Sequence, residues 1–385
     1  MTNSFLDKIE KELLLLKEKS QFRTLKNSNK NNAIDLSTND YLSISADKSL
    51  LEDFLDSRSS STIKRFAQGG TSSRLLAGNN ECYHELETKL AAWYKRESAL
   101  VFSSGYHLNS GVIPALATRG DIIFSDKLNH ASIVDGTILS RAEVVRYHHL
   151  DYAHLEEMLQ KKRELGKNAF IISESVFSMD GDVADLRKLV ELKTKYDAVL
   201  IVDEAHAAGV LGESGCGASE LFGVIDQIDI IAGTFGKAFA GMGAYTISSN
   251  IINDYLINKA RTLIFTTALP PITLNWLIFV LDRMDLFKER REKLLEISGY
   301  FREKLRFCQE KNVFNTHIIP FILGTNELAL SAADSLQKEN FIVSAVRPPT
   351  VPVGTSRLRF SLNSSVTYEN IDKITEILTN FMKNY

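Results

Sequence analysis

Asp229-Ile230-Ile231-Ala232-Gly233-Thr234-Phe235-Gly236-Lys237 is a short apolar run that closes on two glycines and a single lysine. A run of this length bounded by turn signals reads as a buried strand. Lys237 leaves it where Gly233 and Gly236 remove neighbouring side chains, so its amine has a clear route to whatever lies at the strand ends. Loss of solvent there favours the neutral amine, the form that makes a Schiff base. A lysine closing a strand is ordinarily just solvated, so the stretch needs company before it means chemistry.

Ala198-Val199-Leu200-Ile201-Val202-Asp203-Glu204-Ala205-His206 supplies it. Five apolar residues in a row fit a strand covered on both faces, as in a parallel sheet. Asp203 and His206 then emerge at its carboxyl end, where open α/β sheets place ligands. A buried acid there is costly unless a cation meets it, and a protonated pyridine nitrogen is such a cation. Asp203, His206 and Lys237 together point to pyridoxal 5′-phosphate (PLP), with the acid on the ring nitrogen, the imidazole beside the ring oxygen and the lysine as Schiff-base residue.

Further stretches follow in order: Ser104-Gly105-Tyr106, Asp126-Lys127-Leu128-Asn129-His130-Ala131-Ser132 and Glu174-Ser175-Val176-Phe177-Ser178-Met179-Asp180-Gly181-Asp182. With these the chain resembles the α-oxoamine synthases, a family of fold-type-I PLP enzymes. The resemblance implies an α/β large domain with a mostly parallel sheet and a smaller α+β C-terminal domain. The expected division is 1–45 for an N-terminal helix and linker, 46–285 for the PLP-binding domain and 286–385 for the small domain. Val346 to Arg359 looks like the branch that joins L-alanine to a pimeloyl thioester, carried on coenzyme A or acyl carrier protein, on the route to biotin. Sister branches that use glycine or serine stay open, as does a silent partner subunit that keeps the fold. Lys237, Asp203, His130 and Arg359 together argue against the silent partner.

The site residues follow from the same resemblance. It implies that His130 stacks over the pyridine ring and that Glu174 and Ser178 form a cofactor-edge pair, with Thr234 in the cofactor-binding set. Gly105 and Tyr106 start a helix after a strand, and a helix start offers free N–H groups to a phosphate. Thr266 and Thr267, in Phe265 to Pro271, are implied to reach the neighbouring subunit's phosphate, making the protein a homodimer with shared sites. Asn39 and Arg23 are implied to line the substrate site, and Ser73 to leave room for the side chain of alanine. Arg357 and Arg359 are two apart on a strand and face one side. Only one is needed to fork onto the amino-acid carboxylate; the resemblance points to Arg359, leaving Arg357 solvated. Arg347 and Thr350 are implied to meet the acyl substrate. Asp180 and Asp182 read as solvated turn acids, and His148 and His149 as an exposed turn.

Bulk properties set outer bounds. At 385 residues with 44% hydrophobic and 24% charged residues, the chain is long enough for two or three structural units. A net charge of −3 gives no basic field for nucleic acid or an acidic membrane. Cys82, Cys216 and Cys308 are far apart and odd in number, so neither a disulfide framework nor zinc spacing follows, and the cytoplasm is the natural compartment. No metal ligand set is expected. Gly212 to Gly217 reads G-x-x-G-x-G away from a strand end, which disfavours a nicotinamide site. No apolar run reaches the roughly 18 residues that span a membrane.

Along the chain, Met1 to Lys19 reads as an amphipathic helix and Asn27 to Asn32 as a polar linker. Strands are expected near 99–103, 121–124, 144–147, 170–173, 198–202, 228–233 and 244–248, with a clear helix over 184–196. A long helix from Asn275 toward Lys311, kinked at 282–287, leads to strands at 317–323, 342–346 and 357–362, with helices at 327–338 and from Asn370.

Overall fold

A computed structural model describes residues 4–25, 33–57, 62–163, 167–305 and 315–383. The expected linker 27–32, Cys308 and the far end of the helix toward Lys311 lie outside the described residues. Two compact units divide the chain: Asp40–Ser178 with Asp182–Glu292, and Met1–Asn39, Met179–Gly181 and Lys293–Tyr385.

In chain order the strands are β1 (Ile34–Asp35), β2 (Ser98–Phe102), β3 (Ile122–Asp126), β4 (Glu143–Tyr147), β5 (Ala169–Glu174) and β6 (Val199–Asp203). They continue with β7 (Ile230–Thr234), β8 (Ala244–Ser248), β9 (Ile318–Gly324), β10 (Phe341–Ile342), β11 (Ser344–Val346) and β12 (Ser356–Ser361).

The larger unit is built on a seven-stranded sheet in the order β2-β8-β7-β6-β5-β3-β4. All neighbours pair in parallel except β8, which runs antiparallel to both β2 and β7. Apart from the edge strand β4, where three of five residues are exposed, the strands are buried along nearly their whole length, which is why they read as apolar runs without alternation. Helices Gly105–Leu116 and Ala131–Ser140 cross between strands. Val112 and Ile133 from these helices pack on Phe102, Ile172 and Ile201 from the sheet. Each such side chain contributes roughly 1.5–3 kcal/mol by leaving water. Ser104 caps the first helix by accepting from His107 N at 3.1 Å, so the turn after β2 is fixed with Gly105 as the first helical residue.

β7 starts two residues later than its apolar run. Arg96 Nη1 donates to the Ile228 carbonyl at 2.9 Å, which withdraws that residue from the ladder.

In the smaller unit β11-β12-β9 form an antiparallel sheet and β1 pairs in parallel with β10. The single strand expected over 342–346 is two, because Phe341–Ile342 pair with Ile34–Asp35 while Ser344–Val346 pair with Arg357–Arg359. Helix Tyr368–Lys383 buries Ile371, Ile374, Leu378 and Phe381, a helical period facing one side. The long helix from Asn275 is Pro271–Leu281, a 3₁₀ turn at Met284–Phe287 and Lys288–Lys304. Helix Ser4–Glu18 buries none of its residues.

Candidate active site

Five parallel strands of the large sheet deliver side chains to one cavity of about 170 Å³. Gly105 and Tyr106 come from the turn after β2, His130 from the turn after β3 and Glu174 from the end of β5. Asp203 and His206 come from the end of β6, and Thr234 and Lys237 from the end of β7. Register explains the grouping, since Glu174 lies opposite Asp203 and Asp203 opposite Ala232. Residues in register on parallel strands project to the same face, so both carboxyls point one way.

Asp203 is 8% exposed. Asn109 Nδ2 donates to its Oδ2 at 2.8 Å, and Ala205 N donates to its Oδ1 at 2.9 Å. The same Asn109 amide donates to Ser132 Oγ at 3.0 Å, and Ser132 Oγ lies 2.8 Å from His130 Nδ1. Tyr41 Oη sits 2.6 Å from His206 Nδ1, both residues being buried. His130 N donates to Glu174 Oε1 at 2.6 Å, and Glu174 N donates to Asn129 Oδ1 at 3.1 Å. Burial, then the charge of Asp203, pushes the Glu174 carboxyl up. Crowding by protein pushes the His130 imidazole down, with Asp203 opposing and Lys237 assisting. Burial thus favours the neutral form of both groups.

The donor set suits a flat cationic ring that carries a phosphate. A carboxylate held by two N–H donors can face a ring N–H⁺, and an imidazole borders the same space. The first amides of the helix starting at Gly105 have no intrahelical carbonyl to bond. Gly105 lies beside Thr234: a Cβ there would sit 3.8 Å from Thr234 Oγ1, an ordinary van der Waals contact.

Ser178, Thr266 and Thr267 do not line this cavity. Ser178 is half-buried in the turn after β5, and Thr266 and Thr267 follow helix Arg261–Ile264. Ser73 precedes the turn Arg74–Gly78 and does not line it either. Arg74, beside it, is committed elsewhere, bonding Glu87 at 2.6 and 3.0 Å.

The remaining substrate candidates belong to the smaller unit and form two groups. Arg359 Nη1 donates to Asn39 Oδ1 at 3.2 Å, and so does Ser361 Oγ. Arg23 Nη2 donates to Thr350 Oγ1 at 2.8 Å, and both line a second cavity with Arg347. Arg357 is not solvated: it is 4% exposed and paired with Asp180. Asp182 and His149 are likewise engaged, 3.3 Å apart, with His149 also 3.0 Å from buried Asp126.

Comparison with known proteins meets this geometry. The model of the aminotransferase class I and II family matches residues 31–378. A curated 8-amino-7-oxononanoate synthase from Chlorobaculum parvum is 46% identical over 346 residues, 90% of this chain and 88% of that one. The chain belongs to the aminotransferase class I and II family, among its α-oxoamine synthases. Solved relatives of this α-oxoamine synthase include serine palmitoyltransferase from S. paucimobilis with a bound PLP–myriocin aldimine. That structure has a TM-score of 0.89 and 27% identity, covering 100% of this chain and 99% of that one. The 8-amino-7-oxononanoate synthase of Francisella tularensis has a TM-score of 0.78 and 32% identity, covering 92% and 99%. The α-oxoamine synthase is thus a PLP-dependent enzyme of the acyltransferase type on a fold-type-I framework.

Proposed function

We propose that the enzyme condenses L-alanine with a pimeloyl thioester, releasing carbon dioxide and free thiol and giving 8-amino-7-oxononanoate for biotin synthesis. The convergence of Lys237, Asp203, His206 and His130 on one cavity supports the chemistry. Its 46% identity to an 8-amino-7-oxononanoate synthase supports the substrates.

PLP, when bound, supplies a ring that accepts the electrons released at the amino-acid α-carbon. Lys237 Nζ removes the α-proton and later returns one. Asp203 holds the proton on the ring nitrogen, and Asn109 and Ala205 hold Asp203. Tyr41 fixes the ring of His206 through Nδ1, while His130 offers a flat uncharged face. Gly105, Tyr106 and Thr234 take the phosphate, with Thr266 and Thr267 serving the second subunit of a homodimer. Glu174 and Ser178 border the cofactor, Arg359 takes the alanine carboxylate with Asn39 steadying it, and Ser73 admits the alanine methyl. No helix among the described residues is long and apolar enough to cross a membrane.

The high TM-score to serine palmitoyltransferase favours one second reading, a sister enzyme using serine or glycine. Thiol release from pimeloyl, acetyl and palmitoyl thioesters, each paired with alanine, glycine and serine, separates the two. The alanine–pimeloyl pair should give the highest kcat/KM and a product with the mass of 8-amino-7-oxononanoate. A higher value for serine–palmitoyl or glycine–acetyl would overturn the proposal. Lys237→Ala should abolish turnover and the visible absorption of the lysine-bound cofactor.

A further inference from the structure

Lys237 leaves β7 on a turn, Phe235 to Gly241, that closes on itself. Ala240 N donates to the Lys237 carbonyl and Gly241 N to the Phe235 carbonyl, each at 2.9 Å. Phe235 and Phe239 are fully buried and meet edge to face with ring centroids 5.4 Å apart. Trp93 meets Phe239 in the same way at 5.8 Å. The two phenylalanines anchor the turn, and Lys237, between them in sequence, lines the first cavity.

The turn carries strain at one residue. Ala240 has a φ of +47°, in the left-handed region where a Cβ crowds the following carbonyl oxygen. Lys95 and Arg141 share that region, but each closes a helix, where a left-handed residue is common. Ala240 closes none. A non-glycine residue stays in such a conformation when its surroundings hold it there.

Helix Pro271–Leu281 supplies the hold. Trp276 Nε1 donates to the Ala240 carbonyl at 3.1 Å. A Cβ on Gly241 would lie 2.5 Å from Leu277 Cδ2, so this helix also packs closely against the next residue of the turn. The indole is fixed in its own place, edge to face with Phe54 at 5.2 Å and stacked on Phe279 at 5.9 Å.

We propose that Trp276 is a positioning residue for Lys237. Its N–H, acting through the Ala240 carbonyl, holds the strained turn in the shape that keeps the lysine on the cavity. A reacting group displaced by about 1 Å can lose on the order of 100-fold in rate, so the backbone beneath the amine has to stay put. The inference rests on the reading of Lys237 as the Schiff-base residue and adds what keeps that residue in place.

The test is a double-mutant cycle of Trp276→Phe and Ala240→Gly in the full chain. Trp276→Phe keeps a ring against Phe54 and Phe279 and removes the N–H. Ala240→Gly removes the Cβ, so the left-handed turn no longer needs holding. In the alanine background Trp276→Phe should lower both the PLP affinity of the apoenzyme and kcat by about 2- to 10-fold, the range for one neutral hydrogen bond. In the glycine background the same change should stay within about twofold. Hydrogen exchange without PLP gives a readout independent of turnover. Amides of residues 235–241 should exchange about 2- to 10-fold faster in Trp276→Phe than in wild type, and no faster in the double variant than in Ala240→Gly. Equal losses in both backgrounds would mean that the indole only packs, and would overturn the inference. So would the absence of any loss, or unchanged exchange in Trp276→Phe. Each of these results leaves the functional reading intact. A Lys237→Ala enzyme that keeps its turnover and visible absorption overturns the reading of the lysine and the inference with it.

Discussion

Asn109→Ala isolates the contact on which the charged floor of the cavity depends. The wild-type amide makes two buried hydrogen bonds, to Asp203 Oδ2 at 2.8 Å and to Ser132 Oγ at 3.0 Å. The first is charge-assisted and contributes roughly 1.5–3 kcal/mol; the second, neutral, contributes roughly 0.5–1.5 kcal/mol. Ser132 keeps a partner in His130 Nδ1 at 2.8 Å, so most of the loss falls on Asp203, left with Ala205 N alone. If Asp203 grips the ring nitrogen, that loss should weaken PLP binding and lower kcat/KM together, by about 10- to 150-fold. Spectrophotometric titration of the apoenzyme with PLP gives the first quantity and thiol release the second. Ser132→Ala, which spares the bond to Asp203 and removes the neutral ones to Asn109 and to His130 Nδ1, serves as the comparison and should lower either quantity less than Asn109→Ala does. Asn109→Asp, placing a second carboxylate at this spot, should be at least as damaging as alanine. Cofactor affinity and kcat/KM within threefold of wild type in Asn109→Ala would refute the reasoning, since the carboxylate would then be held without its amide.

Two further expectations concern stability. Burial opposes the charge on His149, but hydrogen bonds to Asp126 and Asp182 outweigh it and push the imidazole up to about 9. With the folded value above the ordinary one, the contribution is complete below about pH 6.5, fades as pH rises toward 9 and is lost beyond it. It amounts to roughly 3 kcal/mol at most. Urea midpoints from pH 6 to 10 should therefore fall more steeply for wild type than for His149→Gln, and parallel slopes would count against the clamp. Asp180→Ala leaves the Arg357 guanidinium, with a side chain 5% exposed, buried without its acid, at a cost of about 3–5 kcal/mol. Arg357→Met keeps the stem and leaves Asp180, 25% exposed, partly hydrated, so it should cost less; the reverse order of melting temperatures would show the pair is not the determinant.

Much of the larger unit was legible because its strands are buried on both faces and bounded by glycine or acid. The run ending at Asp203 and the one ending at Lys237 announce both their burial and their carboxyl ends, and strand order then brings the residues together. Asn109 was not legible in the same way. It sits in an apolar helix, Gly-Tyr-His-Leu-Asn-Ser-Gly-Val-Ile-Pro-Ala-Leu, one turn beyond the helix start, where no motif marks it. A lone amide between Leu108 and Val112 was the available signal, because a buried polar group needs a partner. Tyr41 and His206 are 165 residues apart, and Asp180 and Arg357 are 177 apart. Neither pairing has a local period to reveal it. Arg357 read as solvated because an arginine on a strand usually is; only the turn that carries Asp180 into the smaller unit makes it a core residue.

The pairing of Ile34–Asp35 with Phe341–Ile342 and of Leu36 O with Ser361 N at 2.8 Å has a consequence for biosynthesis. A ribosome adding about 5–20 residues per second makes Ile34 roughly 15–60 seconds before Phe341 emerges to meet it. Throughout that interval the early segment must wait unpaired while the intervening sheet is translated and folds. The smaller unit is therefore closed late, by the joining of an early and a much later stretch of polypeptide.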